Sequence, residues 1–205
     1  MTKSAPTAVR KRIFIAGVGG QGSITATIAI GEAFLAAGYN VVTSELHGMA
    51  QRGGLVQSTV VVGDLYAATV PDGAADVLLG FEPAEALRFV AKAHSERTVV
   101  ITNTRPVVPM SAAQGGTRYP PIEAIKSSLE AAALRLVAVD AVALATAAGT
   151  PKAIGAVLVG ALAGLGVLPV GHDCWTGALI ARAPARFHDA NIAAFDAGFE
   201  ITRSR

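Results

Sequence analysis

Cysteine is almost missing from this 205-residue chain, in which Cys174 stands alone. A single thiol closes no internal disulfide and cannot by itself hold an iron–sulfur cluster, whose irons need several thiolates. Any redox centre the chain serves must therefore belong to another polypeptide. Charged residues are also few, at 16% with a formal net charge of +2, so no broad basic surface exists to attract nucleic acid. Aromatic residues make up only 5%, too few for a platform on which single strands stack. The four histidines, His47, His94, His172 and His188, lack the paired spacing of a zinc site, and no metal site is expected. The longest apolar stretch, Ala153 to Val167, lies between Lys152 and Pro169. It falls short of the ~20 residues a bilayer demands, which makes it a buried helix rather than a membrane span. Met1 to Arg12 carries Lys3, Arg10, Lys11 and Arg12 with no apolar segment behind them, unlike a secretory signal. The expectation is a cytoplasmic protein with residues 1–12 as a flexible tail and 13–205 as a single domain, a size that suits one α/β core.

Glycine, by contrast, is concentrated where it matters. The apolar run Ile13-Phe14-Ile15-Ala16 feeds into Gly17-Val18-Gly19-Gly20-Gln21-Gly22, and Ile24, Ile28, Gly31 and Leu35 then recur at helical spacing up to Gly38, placed as a left-handed cap. This is a strand, a glycine turn and a helix. Such a turn brings ligands close to the backbone and aims unpaired helix amides at them, which suits an anion, most often a phosphate. The string satisfies G-x-G-x-x-G, with Glu45 at the end of the next apolar run, so a dinucleotide site stands beside the plain alternative of a turn that only permits tight packing.

Further along, Asn40 to Thr43 predicts the second strand, followed by a loop from Ser44 to Gly54 that has neither clean alternation nor helical period. Leu55 to Val62, the turn pair Gly63-Asp64 and Leu65 to Val70 predict a hairpin. Val77 to Phe81 is a buried strand, and Glu82-Pro83 opens a helix through about His94. Thr98 to Thr102 and Leu134 to Val139 supply two more strands. Asn103 to Pro121 is a long connection, Ile122 to Ala133 is helical, and Asp140 caps a helix up to Gly149. The small residues of Ala153 to Val167 allow close approach by a neighbouring helix, including one from another subunit. Trp175 to Glu200 is helical with a break near Pro184. The fold class is α/β: a Rossmann-like open, mostly parallel sheet with an added antiparallel hairpin and helices on both faces.

In the glycine turn, Gly17, Gly19, Gly20 and Gly22 offer backbone N–H groups and Gln21 a side-chain amide. In the loop, Arg52 adds a bidentate cation next to Gln51, and Gly53-Gly54 lets the chain fold closely against a phosphate. Glu45 and His47 either orient Arg52, touch a ligand, or serve only in a salt bridge and a loop hydrogen bond. Both loops are expected at the carboxyl edge of adjacent parallel strands, where ligands of open α/β sheets collect. No Ser–His–Asp or paired-carboxylate arrangement is legible, so the chain has no catalytic residue of its own.

Three stretches carry a resemblance: Gly17-Val18-Gly19-Gly20-Gln21-Gly22; Ser44-Glu45-Leu46-His47-Gly48-Met49-Ala50-Gln51-Arg52-Gly53-Gly54; and Ala75-Asp76-Val77-Leu78-Leu79-Gly80-Phe81-Glu82-Pro83-Ala84-Glu85-Ala86-Leu87-Arg88. In this order they resemble the gamma-type subunit or domain of 2-oxoacid:ferredoxin oxidoreductases, above all the indolepyruvate branch. Leu158 to Ala161 and Asn191 to Gly198 extend the likeness. Val61 and Gly155 depart from it, replacing a basic residue and an asparagine of many relatives. Such enzymes decarboxylate a 2-oxoacid on thiamine diphosphate, pass electrons to ferredoxin and form an acyl-coenzyme A. The resemblance implies the non-cluster subunit of a hetero-oligomer, inactive alone, acting on indolepyruvate or another aryl-pyruvate. Its large alpha-type partner would carry thiamine diphosphate, Mg2+ and 4Fe–4S clusters, while this chain completes the complex and contacts coenzyme A. Two other readings stay open on the residues: a self-sufficient NAD(P)-binding oxidoreductase with Glu45 on a ribose, and a purely structural subunit-bridging module.

Overall fold

Short runs of β-branched and aliphatic residues separated by glycine turns are what a sheet covered on both faces requires. In a computed structural model of the chain, residues 9–47, 54–64, 67–107 and 119–203 are described. The strands β1 (Lys11–Val18), β2 (Val41–His47), β3 (Leu55–Val62), β4 (Val77–Gly80), β5 (Val99–Asn103) and β6 (Arg135–Val139) form one six-stranded sheet in the order β2-β3-β1-β4-β5-β6. Neighbours β1, β4, β5 and β6 are parallel; β3 runs antiparallel to both β1 and β2. The helices among the described residues are α1 (Ser23–Ala36), α2 (Pro83–Arg88), α3 (Ile122–Ala132), α4 (Ala141–Ala147), α5 (Ile154–Gly164), α6 (His172–Ala181) and α7 (His188–Arg203).

Period-two alternation sends successive β1 side chains to opposite faces. Ile13 and Ile15 join Val60, Leu79, Ile101 and Val137 beneath α1, α4, α5, α6 and α7. Phe14 and Ala16 join Leu78 and Val100 beneath α2 and α3. The fold is thus α/β and Rossmann-like, mostly parallel, with an antiparallel addition and helices on both faces. α5 is the buried apolar helix, its residues from Ala156 to Ala163 all buried. The helix pressed against Gly160 and Gly164 is α7 of the same chain, not a helix from another subunit: a Cβ on Gly160 would overlap the Phe195 carbonyl.

Several local expectations change for visible reasons. β1 begins at Lys11, inside the stretch read as tail, because Lys11 and Arg12 pair with Val62 and Val61. Ser44 to His47 are strand rather than loop, since β3 supplies backbone partners from Thr59 to Val56. As an edge strand covered unevenly on its two faces, β2 has no reason to alternate cleanly. The antiparallel partners of β3 are β2 and β1, not the described residues after it. Residues 67–70 form no strand; they cross the face of β3, where Thr59 Oγ1 donates to the Ala68 carbonyl at 2.6 Å. The helix after Glu82 stops at Arg88 instead of His94, and Val90–Lys92 is a single 3-10 turn. Here the carbonyls of Ala91 and Lys92 accept from Gly73 N and Ala75 N (2.8 and 3.0 Å), a tertiary use that competes with continuing the helix.

Candidate functional site: an anion-suited cleft at the carboxyl edge

β1 runs out into the glycine turn at the carboxyl end of the parallel strands. A Cβ on Gly17 would stand 2.8 Å from Phe81 Cβ, so a side chain there would push β1 away from the end of β4. Gly20 and Gly22 have φ of 98° and 83°, the left-handed region where side chains are strained. Gly22 is the N-cap of α1 and gives it no side-chain cap, leaving the first amides of the helix facing the space before the turn.

Part of the turn's hydrogen-bonding capacity is engaged within the fold. Gln21 Oε1 accepts from Val18 N at 2.7 Å and Gln21 Nε2 donates to the Phe81 carbonyl at 3.1 Å. Gly19 N donates to the Gly54 carbonyl at 2.8 Å, which ties the turn to the start of β3. Gln21 Nε2 and Gly19 N, expected to serve a ligand, therefore hold the site together. Asn103, buried at the end of β5, completes the frame. Its Nδ2 donates to the carbonyls of Phe81 (3.2 Å) and Arg105 (3.3 Å), and its Oδ1 accepts from Ala141 N (3.2 Å), the first residue of α4. One carbonyl, Phe81, thus gathers the ends of β1, β4 and β5. Asn103→Ala is expected to cost about 2–3 kcal/mol, because it strands a buried amide as well as removing bonds; chemical denaturation against wild type checks this.

In front of this frame lies a cleft of about 850 Å³. Its walls are Gly20 to Gly22, Asn103, Arg105 to Val107, Val142 of α4, and Pro151, Lys152 and Ile154 at the entry to α5. The chain leaves β1 towards one face and the neighbouring β4 towards the other, the topological switch at which open sheets bind ligands. Two cations face the cleft. Arg105 Nε and Nη2 donate to Asp140 Oδ2 at 2.9 and 2.8 Å; that bond raises the guanidinium's pKa and holds the Asp140 carboxyl below its usual range. Asp140 also caps α4 by accepting from Ala143 N at 3.0 Å. Lys152 is exposed, and no ion pair to it occurs among the described residues.

The structure divides the expected site. Gly20, Gln21 and Gly22 line the cleft, while Gly17 and Gly19 shape the turn behind it. Glu45 and His47 lie on β2, with β3 between them and β1, so the strands that bear the two loops are not adjacent as anticipated. Glu45 is exposed and is not part of the cleft wall. Gln51, Arg52 and Gly53 lie outside the described residues. Asn103, Arg105 and Lys152 were missed. The available signal was positional: polar residues directly after the buried strand ending at Thr102, and a lysine after the proline that opens an apolar helix. Among the described residues no group of His, Cys, Asp and Glu could hold a metal ion, and no helix is long and apolar enough to cross a membrane.

Glycine backbone, uncapped helix amides and two cations make this α/β cleft one suited to an anion; no nucleophile or acid–base pair stands in the described cleft wall. The model for pyruvate ferredoxin/flavodoxin oxidoreductases matches residues 12–201, and the chain belongs to that family. It is 40% identical to indolepyruvate oxidoreductase subunit IorB of Archaeoglobus fulgidus over 93% of this chain and 94% of that one. Among solved structures it resembles the gamma subunit of a keto/oxoacid ferredoxin oxidoreductase from Geobacter sulfurreducens PCA, with 25% identity, a TM-score of 0.70, and coverage of 96% of this chain and 100% of that one. A likeness of fold alone links it to the 2-oxoglutarate:ferredoxin oxidoreductase of Magnetococcus marinus, at 17% identity and a TM-score of 0.72, covering 97% of this chain and 32% of that one.

Proposed function

We propose that the chain is the non-cluster subunit of a thiamine-diphosphate-dependent 2-oxoacid:ferredoxin oxidoreductase acting on indolepyruvate or another aryl-pyruvate. It completes a hetero-oligomer whose large partner holds thiamine diphosphate, Mg2+ and iron–sulfur clusters. The observation that carries this reading is the 40% identity to an IorB subunit across nearly the whole of both chains. The lone Cys174 fits a division of labour in which the partner keeps the clusters. Coenzyme A is the anionic co-substrate that the cleft suits. Its volume is within the ~300–1,000 Å³ of small-molecule sites, and Lys152, Arg105 and the α1 amides would meet phosphate groups. The Magnetococcus marinus enzyme, which shares this fold, has been solved with 2-oxoglutarate, coenzyme A and succinyl-CoA bound. The NAD(P) alternative loses support because β3 separates Glu45 from the glycine turn, where a ribose would need it close.

Co-expression with the thiamine-diphosphate subunit tests the proposal. A stable complex is expected that reduces ferredoxin from an aryl-pyruvate in a coenzyme A-dependent manner, with no turnover by this chain alone. Enzymatic oxidation of a keto acid by the isolated chain, or failure to associate with the partner, would overturn it.

A further inference from the structure

The carboxylate of Glu82 is almost wholly inaccessible, at 1% exposure, immediately after β4. A helix N-cap needs a single acceptor, and short polar side chains supply it at the surface. Glu82 Oε2 does cap α2, accepting from Glu85 N at 2.9 Å. Its other oxygen reaches elsewhere: Oε1 accepts from Val107 N at 3.3 Å and from Tyr119 Oη at 2.5 Å. Val107 lies on the way out of β5, and Tyr119 stands just before α3. One buried carboxylate therefore ties a residue after β5 to one before α3, and Val107 is part of the cleft wall with Arg105 and Pro106.

We propose that Glu82 is a positioning residue that fixes the Arg105–Val107 wall of the cleft, with Tyr119 as its second anchor. The capping oxygen and the gripping oxygen are different atoms, so the two tasks separate by substitution. Tyr119→Phe removes one hydroxyl and leaves the cap of α2 untouched. Glu82→Gln has only one acceptor oxygen and cannot serve the cap and Oε1's two donors together. Burial of the Tyr119 ring, followed by its bond to Glu82, holds the phenol well above its ordinary pKa of 10.0, so it remains a donor at physiological pH. For the ligand, the inference rests on the coenzyme A reading given above.

Hydrogen exchange on the assembled complex tests the anchoring itself. Both variants are expected to raise exchange in the peptide covering 104–107 by about fivefold to tenfold, as loss of a buried bond should. With coenzyme A as the probe, both should raise its KM severalfold and leave the KM for the 2-oxoacid and kcat near wild type. Unchanged exchange at 104–107 in both variants overturns the inference, whatever coenzyme A does. Faster exchange with an unchanged KM for coenzyme A would overturn the link between this wall and the ligand. A wild-type complex whose turnover ignores coenzyme A sinks the coenzyme A reading instead and leaves the exchange result to judge the anchoring.

Discussion

Gly160→Ala is expected to destabilise the chain by about 3 kcal/mol, the upper end for overpacking a tight core. The reason is that α5 and α7 touch through backbone. A Cβ on Gly160 would overlap the Phe195 carbonyl, one on Gly164 the Phe199 carbonyl, and one on Gly198 the Val157 carbonyl. Backbone cannot rotate aside as a side chain can, so the helices must separate. Separation would loosen Thr202 Oγ1, which donates across the interface to the Ala161 carbonyl at 2.9 Å. Gly177 provides the opposite control. It lies inside α6 with nothing within 4 Å of a Cβ built there, so Gly177→Ala should stabilise by roughly 0.5–1 kcal/mol through helix propensity alone. Urea midpoints of the two variants should move in opposite directions. A Gly160→Ala protein as stable as wild type would mean that α5 and α7 do not pack this closely.

The same two helices show what a sequence reveals and what it withholds. An apolar run with glycines at Gly155, Gly160 and Gly164 announces burial and close approach, because both follow from side-chain size. The partner's identity does not, since Gly198 is remote in sequence and becomes the complement only after folding. Strand-to-helix units such as β1–α1 and β6–α4 were legible through local rules: an apolar run, Gly38 as a stop, Asp140 as a cap. The sheet order was not. Hydrophobic pattern assigns faces but not neighbours, and insertion of β3 between β2 and β1 depends on long-range pairing. That insertion carries Glu45 away from the glycine turn, and with it the local sense of the dinucleotide motif. At the cleft the glycines were visible as punctuation, whereas Asn103 and Arg105, at the end of β5, meet Lys152, at the entry to α5, across a span that no local window contains. Glu82 was legible as a helix opener; its grip on Val107 and Tyr119 is a tertiary fact.

Lys152→Ala is expected to raise the KM for coenzyme A in the assembled complex about tenfold, equivalent to ~1.4 kcal/mol, and to raise it more than Arg105→Ala does. Both cations face the cleft, but their charges are not equally available. Asp140 already accepts two bonds from Arg105, so those guanidinium donors are engaged before a phosphate arrives and the pair presents little net charge to it. Lys152 has no such partner among the described residues, and it borders both the main cleft and a smaller adjoining pocket of about 120 Å³ beside α1. An exposed ammonium acts over a distance that salt shortens, with a screening length of about 8 Å at physiological ionic strength. The wild-type KM should therefore climb as salt is added, and the Lys152→Ala KM should climb less. Lys152→Arg, which keeps the charge, should retain most of the affinity. If Lys152→Ala instead matches wild type at low salt while Arg105→Ala loses the tenfold, the anion is held by the arginine fork after displacing Asp140, and the ion pair is a latch rather than a neutral wall.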